Sequence, residues 1–341
     1  MKRAKSRHQR TTLIAVALLA LLGLSMVVLD LGEIRQVLGQ ASWRLLPLAL
    51  LFAALSYVCL SYSFAMVSRI FGIQMCRRDL FEIGFISYAL NHLVTSGGAA
   101  GYSLRMLLIK RRGLPVNGVL AASLFHSTLN SLFLFGLVPV SMVYLLANRS
   151  LSGNIAVGVG IAAVLLLFLV VLAATGLFVG TLRSAVLGMV GATWHKVARS
   201  SMENQLNDLD STLASGVGMV RSRPTILVLP LVLIVADWTF AMATLWFCFD
   251  ALGSPIGPLV LLTGFSVGIV VGLLSMIPGG IGAQEGSMAA VYAMLGVPLE
   301  QAVLAAVLFR VVYYLIPFLL SLAFYRRLLQ GPGKLAPEPP R

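Results

Sequence analysis

The sequence predicts an all-α polytopic membrane protein with about six full spans and two re-entrant helical hairpins. Its 341 residues are 59% hydrophobic and 11% charged, and the mean hydropathy is +0.94, far from a soluble domain. Several apolar runs reach the roughly 20 residues that a helix needs to cross a bilayer. Two glycine-rich breaks, at residues 96–102 and 275–287, interrupt the other apolar runs. We therefore expect one membrane-embedded domain and no sizeable soluble unit.

The formal net charge of +13 follows the membrane topology. Lys and Arg cluster in short loops beside apolar runs, as the positive-inside rule requires, whereas a nucleic-acid arm is a long basic block elsewhere. We expect no nucleic-acid partner. Residues 1–11 form a basic, cytoplasmic N-terminus. No small-x-small cleavage pattern follows the first apolar run, so we interpret it as an uncleaved span. The predicted location is an inner (plasma) membrane of bacterial type, with both termini cytoplasmic.

Six apolar runs are assigned as full spans: residues 12–29, 45–67, 117–146, 155–179, 225–249 and 302–324. The apolar pieces on either side of each glycine break are too short to cross alone. Basic residues flank both ends of the first pair (80–109), so we expect it to enter and leave from the cytoplasm. The second pair (258–295) is expected to enter from the outside. The two tips are predicted to meet inside the bilayer.

The transmembrane domain is assigned to residues 12–327, and residues 328–341 to a disordered tail. Within it we predict two repeat halves, at about 45–180 and 225–327. A Gly-Gly pair recurs at 97 and 279, and a Val-Leu-Ala-Ala-x-Leu-Phe run recurs at 119 and 303. Three crossings separate equivalent elements, so the second copy should be inverted, as in many transporters. Non-helical backbone at membrane depth requires protein or water partners, so the breaks imply a polar cavity.

Residues 181–224 join the halves on the cytoplasmic side. This segment is either an amphipathic helix on the membrane surface or a solvated helical linker. The amphipathic interpretation rests on five apolar residues: Val186, Met189, Val190, Trp194 and Val197. The three cysteines have no CxxC spacing, the four histidines are dispersed, and no nucleotide-binding motif is present. We expect no cofactor and no metal.

Ionisable residues inside predicted spans are costly and are functional candidates by default. Arg310 has the planar fork that suits a phosphate head group; the alternative is an ion pair with Asp237 or Glu285. Glu285 could pair with a cationic head group, carry a proton, pair with Arg310, or cap a helix beginning near Gly286. Asp237 is a proton or ion-pair candidate, with a structural role favoured.

The first half carries further substrate-binding candidates. Arg105 is either a phosphate contact or a residue that reaches toward cytoplasmic head groups. His126, the repeat partner of Arg310, is more simply a satisfied bundle histidine than a proton relay. Weaker polar candidates are Asn91, His92 and Asn130. Four glycines of the breaks are grouped with the binding site: Gly97, Gly98, Gly279 and Gly280. In the first break, Gly97, Gly98 and Gly101 are expected to serve backbone geometry.

Four stretches carry a resemblance to a known family. They are Pro278-Gly-Gly-Ile-Gly-Ala-Gln-Glu285, Gly296-Val-Pro298, Leu308-Phe-Arg-Val-Val-Tyr-Tyr-Leu-Ile-Pro317 and Ser96-Gly-Gly-Ala-Ala-Gly-Tyr-Ser-Leu-Arg105. With them the chain, from about residue 13 to 327, resembles the lysylphosphatidylglycerol synthase transmembrane-region family, also called the flippase-like or UPF0104 group. The resemblance implies a lipid-translocating domain and functional importance for Glu285 and Arg310. The sequence holds no soluble domain that could transfer lysine from tRNA, so the synthase activity is not carried over.

The sequence thus predicts a non-enzymatic lipid translocase that moves a phospholipid, an aminoacyl-phospholipid or a polyprenyl-phosphate-linked lipid between leaflets. Without a nucleotide-binding motif, transport would run downhill or on an ion gradient. Its partners would be membrane lipids and a lipid-modifying synthase or glycosyltransferase. Two alternatives stay open. One is a non-transporting partner that holds such an enzyme at the membrane. The other is a membrane-embedded lipid transferase, although no close acidic or histidine motif at the membrane surface supports it.

Overall fold

The computed structural model describes residues 31–94, 99–110, 116–148, 153–198, 203–275 and 277–330. Within these ranges the chain is helical, with no β-strand. The α-helices, α1 to α13 in order, are Leu31–Gln40, Leu46–Ile70, Arg77–Val94, Ala99–Lys110, Val116–Asn148, Gly153–Phe178, Gly180–Ala198, Glu203–Ser222, Val228–Ala251, Pro258–Leu274, Ala283–Met294, Leu299–Arg310 and Ile316–Gln330. A π-helical turn, Val311–Leu315, joins α12 to α13 and makes them one rod.

Four of the helical rods are long and apolar enough to cross a membrane: Trp43–Ile70, Asn117–Ala147, Pro224–Ala251 and Leu299–Leu328. They coincide with four of the six predicted spans. The predicted span at 155–179 corresponds to α6, which turns by 105° into α7, and this bent pair raises the number to at most five. Residues 1–11 and the predicted span at 12–29 lie outside the described residues, as do residues 331–341. Residues 328–330, assigned to the tail, complete α13, and Leu328 is buried.

Helices α2 and α9 form an antiparallel pair at the centre of the fold. Ser63 Oγ donates to the carbonyl of Pro230, Ser56 Oγ donates to Asp237, and the ring of Phe52 contacts that of Phe240. Along these contacts the residue number falls on α2 while it rises on α9, so the two helices run in opposite directions. The hairpins and the rods α5 and α12–α13 pack around this pair.

Helices α10 and α11 form the second hairpin. Gly264, Gly268 and Gly272 recur every fourth residue on α10 and face α11. A Cβ at Gly264 would lie 2.2 Å from the ring of Tyr292, and one at Gly268 would lie 2.1 Å from Cγ of Met288. Small residues at this spacing let two helices approach closely in a membrane. The antiparallel pairing fits the predicted hairpin; its entry from the outer side stays a prediction.

Helices α3 and α4 form the first hairpin, and the second hairpin docks against it. The Gly101 amide donates to Asn91 Oδ1 at 2.7 Å, and a Cβ on Gly101 would lie 2.6 Å from that side-chain amide. Gly279 faces the Leu93 carbonyl so closely that a Cβ would lie 2.7 Å from the oxygen. The tip of the second hairpin therefore contacts the last turn of α3. Residues 95–98, with Gly97 and Gly98, lie outside the described residues.

The segment between the halves contains two helices, α7 and α8, where the sequence suggested one. Helix α8 carries a buried apolar stripe, formed by Leu209, Leu213, Val217 and Val220. On α7, Val186 and Met189 are exposed, and the side chains at 190, 194 and 197 are not among those described. Arg183 Nε contacts Asp210 Oδ1 at 2.5 Å and joins the two helices. The amphipathic face of α8 thus packs against the protein itself.

Candidate functional site

The candidate site lies at the tip of the second hairpin, where three glycines turn the chain. Gly279, Gly280 and Gly282 have φ angles of +67°, +60° and +85°, a region that residues with a Cβ rarely adopt. The turn folds Gly280 against Gly272, where an added Cβ would lie 3.1 Å from the Gly272 Cα. At this break the three glycines therefore serve backbone geometry.

Glu285 has two partners at this tip. Helix α11 begins at Ala283, so the prediction of a start near Gly286 is wrong, because Gly282 already supplies the turn. One carboxylate oxygen of Glu285 accepts the Gly282 amide at 2.8 Å and caps the helix. The other oxygen accepts from Arg310 Nε. The cap and the ion pair, which the sequence offered as alternatives, coexist.

Arg310 is the last residue of α12, and its guanidinium reaches into the tip. Besides Glu285, it contacts the Gly279 carbonyl through Nη1 at 2.9 Å and Gln284 Oε1 through Nη2 at 3.4 Å. The π-helical turn begins at the next residue; such turns often mark functional sites. Of the two predicted ion-pair partners, the structure selects Glu285 over Asp237. All three guanidinium nitrogens are occupied.

Sequence reasoning missed Gln284, Tyr313 and Tyr314. Gln284 is buried and donates from Nε2 to the Tyr314 hydroxyl at 2.8 Å. The Arg310 guanidinium carbon lies 5.0 Å from the centre of the Tyr314 ring, within reach of a cation–π contact. The sequence did offer a signal for them. Gln284 stands next to Glu285, and the two tyrosines lie one helical turn after Arg310.

A polar network continues from the tip toward α2. The ring of His92 lies 5.2 Å from that of Tyr314, and its Nδ1 lies 2.8 Å from the Tyr57 hydroxyl. That hydroxyl donates its single hydrogen to the Tyr313 carbonyl at 3.0 Å. His92 must therefore be the donor in its contact with Tyr57, which places a hydrogen on Nδ1. His92, a weak candidate from sequence, lies between the two halves.

Asp237 lies at the end of a hydrogen-bonded chain. Its Oδ1 accepts from Ser56 Oγ, and the Ser56 oxygen lies 2.7 Å from the Tyr313 hydroxyl. Since the serine hydrogen goes to the carboxylate, the tyrosine must donate to the serine. Asp237 is buried, and it makes no ion pair with Arg310 or with another cation of the described residues. The structure separates it from the hairpin tip.

In the first half, His126 is fully buried and both ring nitrogens have partners. Ser63 gives its hydrogen to Pro230, so His126 Nε2 donates to Ser63 Oγ at 3.0 Å. In the neutral ring Nδ1 then accepts from the Tyr88 hydroxyl at 2.6 Å. Both hydrogen-bonding positions are used within the bundle, as the simpler interpretation expected.

Arg105, on α4, is completely buried. The alternative in which it reaches toward cytoplasmic head groups is therefore wrong, because the side chain points into the protein. Its guanidinium carbon lies 4.0 Å from the centre of the Phe64 ring and 4.4 Å from that of Tyr88. Asn130, the remaining weak candidate, accepts from Trp238 Nε1 at 2.9 Å and joins α5 to α9.

A second charged cluster, missed from sequence, ties α13 to α3. Glu82 is buried, and one of its oxygens accepts from both Arg78 and Arg327. No group of three His, Cys, Asp or Glu side chains in the described ranges is arranged to hold a metal ion.

Comparison with known proteins agrees with this fold and these motifs. Residues 12–321 match the family described as "Lysylphosphatidylglycerol synthase TM region". A "UPF0104 membrane protein" of Methanothermobacter thermautotrophicus is 23% identical over 321 residues, which cover 90% of this chain and 92% of that protein. A "Phosphatidylglycerol lysyltransferase" of Staphylococcus aureus is 31% identical over 86 residues, which cover 25% of this chain and 10% of that enzyme. The chain therefore belongs to the lysylphosphatidylglycerol synthase transmembrane-region family.

Proposed function

We propose that this protein is a lipid translocase of the inner membrane, which moves a phospholipid, an aminoacyl-phospholipid or a polyprenyl-phosphate-linked lipid between leaflets. The observation that carries the proposal is the Arg310–Glu285 pair. It is an ion pair inside an apolar helical protein, at the glycine turn that forms the tip of the second hairpin. Charged groups in such places mark substrate or ion pathways. Membership of a family named for a phospholipid product supports a lipid cargo.

In this proposal the lipid phosphate competes with Glu285 for Arg310. Within the described residues, Arg310 hydrogen-bonds to three groups of the second hairpin, on Glu285, Gln284 and Gly279, and contacts the ring of Tyr314. Exchange of these contacts for phosphate oxygens would release the tip from the rod α12–α13. The glycine turn gives the tip the freedom to move. The hairpins would enter the bilayer from opposite sides, and the acyl chains would stay in the bilayer.

The energy source is proposed to be downhill movement or a proton gradient. Glu285 is held by Arg310 and by the Gly282 amide, so its charge is stabilised. Asp237 is buried and receives its hydrogen bond from a neutral serine, so a proton on Asp237 displaces no ion pair. Asp237 is therefore the better proton carrier of the two residues named from sequence.

The first test measures translocation in proteoliposomes that contain acyl-labelled fluorescent lipids with different head groups. Dithionite bleaches only the labels in the outer leaflet, so the protected fraction reports flipping. We expect one lipid class to be flipped by the wild type, and at least tenfold more slowly by Arg310→Ala and Glu285→Ala. Arg326→Ala, which removes an exposed arginine about three turns beyond the π-helical turn, is the matched control.

The outcomes separate the alternatives. Equal rates for wild type, Arg310→Ala and Glu285→Ala would exclude the tip as the route. No flipping of any lipid by well-folded wild type would favour the non-transporting partner of a synthase or glycosyltransferase. A chemically changed lipid in the extract would favour a transferase. For proton coupling, Asp237→Asn should lose the response of the rate to an imposed pH gradient and keep the rate measured without one.

A further inference from the structure

Arg105 has the least balanced charge among the described residues. Its side chain is completely buried. None of its three nitrogens has a hydrogen-bond partner within the described part of the chain. The other arginines in the interior are paired: Arg310 with Glu285, and Arg183 with Asp210. A buried charge without a partner is strongly unfavourable, so the environment of Arg105 requires an explanation.

Aromatic rings compensate only part of this charge. The planes of Phe64 and Tyr88 stand at 86° to each other with centroids 6.4 Å apart, and the guanidinium carbon lies in the corner between them. A third ring, Tyr102, lies at 5.8 Å. Ring faces attract a cation but do not replace the oxygen acceptors that five N–H donors require.

The hydrogens of the polar groups beside Arg105 are committed elsewhere, and the Tyr88 oxygen interacts with the guanidinium without reaching the geometry of a hydrogen bond. Tyr88 donates to His126, His126 donates to Ser63, and Ser63 donates to the Pro230 carbonyl. No carboxylate of the described residues forms an ion pair with Arg105.

Further unsatisfied donors share this half of the protein. Ser61 and Ser68 lie one turn to either side of Phe64 on α2, and both hydroxyls are buried without a partner. On α5, Ser123 is in the same state, one turn before His126. Apart from these serines and Arg105, only one oxygen of Glu82 is buried and unsatisfied among the described side chains. A serine hydroxyl can donate or accept a hydrogen bond, whereas the Arg105 guanidinium can only donate, so acceptor oxygens on a ligand would suit Arg105 and are compatible with these hydroxyls.

We propose that Arg105 is the centre of an anion site that takes a phosphate group, with its guanidinium held between Phe64 and Tyr88 and its N–H donors on the phosphate oxygens. A guanidinium binds phosphate with two parallel hydrogen bonds, and the rings preorganise it. The site lies in the first half and shares no residue with the Arg310–Glu285 tip. The proposal concerns equilibrium binding of an anion, so its test does not depend on whether the protein translocates lipid. Since Arg105 is fully enclosed, the anion enters when α3 and α4 separate, and binding is slow.

The experiment measures thermal unfolding of the delipidated full chain in a non-ionic detergent, after long incubation with each probe. The probes are inorganic phosphate, dihexanoyl phosphatidic acid and dihexanoyl phosphatidylcholine. Each of these probes carries a phosphate group, and we expect at least one of them to raise the Tm of the wild type by several degrees. Arg105→Met, of similar size and without charge, should bind that probe at least tenfold more weakly. Arg326→Met is the control. A response to inorganic phosphate identifies a free-anion site, and a response to the lipids alone identifies a head-group site.

The difference in Tm between Arg105→Met and wild type without any probe decides between a binding role and a structural role. If Arg105 awaits an anion, Arg105→Met removes an unbalanced charge, and its Tm without probe equals or exceeds that of the wild type. A lower Tm or loss of folding in Arg105→Met would assign the arginine a structural role and overturn the proposal. Arg105→Lys keeps the charge without the fork, and we expect it to bind about tenfold more weakly than wild type. Equal responses of wild type and Arg105→Lys, or no response of the wild type to any probe, would also overturn it.

Discussion

Ser56 and Asp237 hydrogen-bond to each other from equivalent positions of the two proposed repeat halves. They are 181 positions apart, close to the 182 that separate the glycine pairs at 97 and 279. Two further contacts are related in the same way. The ring of Phe85 packs on that of Phe324, and Ser266, 181 positions after Phe85, hydrogen-bonds to Ser141, 183 positions before Phe324. Because α2 and α9 are antiparallel, the equivalent helices run in opposite directions. This geometry supports the proposed inverted repeat, with the Ser56–Asp237 contact on its symmetry axis.

The first prediction concerns Asp237. Asp237→Asn keeps an acceptor for the Ser56 hydroxyl, and we expect a change within about 1 kcal/mol in the free energy of unfolding. Asp237→Leu leaves the buried hydroxyl of Ser56 without its acceptor and should cost about 1–3 kcal/mol. Unfolding by SDS titration in mixed micelles measures both. If Asn were as destabilising as Leu, the carboxylate charge rather than the hydrogen bond would hold this position.

The second prediction concerns the glycine row of α10. In Gly268→Ala the new methyl group would overlap Met288, and we expect a loss of about 1–3 kcal/mol by the same SDS titration. Gly286→Ala on α11 has no heavy atom within 4 Å of its Cβ and should gain about 0.5–1 kcal/mol from helix propensity. The double variant Gly268→Ala/Met288→Ala should recover part of the loss. Additive effects would show that the two helices are not packed through this pair.

The third prediction concerns the docking of the second hairpin on α3. Gly279→Ala combines a left-handed backbone with a Cβ only 2.7 Å from the Leu93 carbonyl oxygen. Gly72→Ala has a similar φ of +75° with nothing within 4 Å, so it isolates the backbone strain of about 1–2 kcal/mol. We expect Gly279→Ala to cost at least about 1 kcal/mol more than that control. Equal losses measured in SDS titrations would mean that the tip does not rest on α3.

The fourth prediction concerns the ion pair between α13 and α3. Arg327→Gln removes the interhelical partner of the buried Glu82 carboxylate and should cost about 1–2 kcal/mol, discounted because the Arg327 side chain is 44% exposed. Arg326→Gln, its exposed neighbour, should stay within about 0.5 kcal/mol. Chemical unfolding of the three proteins at low and high salt measures the difference. If Arg327→Gln and Arg326→Gln lost equal amounts of unfolding free energy, the Glu82 carboxylate would be stabilised by Arg78 alone.

Four of the predicted spans, the glycine turn at Gly279 and Gly280, and the ion pair offered for Arg310 and Glu285 could be predicted from sequence. Each depends on local information, because apolar length and glycine clusters are properties of a continuous segment. The buried apolar stripe of α8 could not be predicted from sequence, since the apolar residues of α7 and α8 look alike until packing decides which face is buried. The start of α11 was placed three residues late, because only the φ angles of Gly279, Gly280 and Gly282 define the turn.

The sequence by itself determined that this chain is a helical membrane protein with two glycine-rich stretches and charged residues within its apolar segments, because hydrophobicity and helix length are local quantities. Only the tertiary structure decided how those charges are balanced. Arg310 forms an ion pair with Glu285, Asp237 accepts a hydrogen bond from Ser56, and Arg105 lies between aromatic rings. Charge balance depends on residues that are distant in the chain: 181 positions separate Ser56 from Asp237. A one-dimensional pattern therefore identifies the charged residues, and the packing of helices identifies their partners.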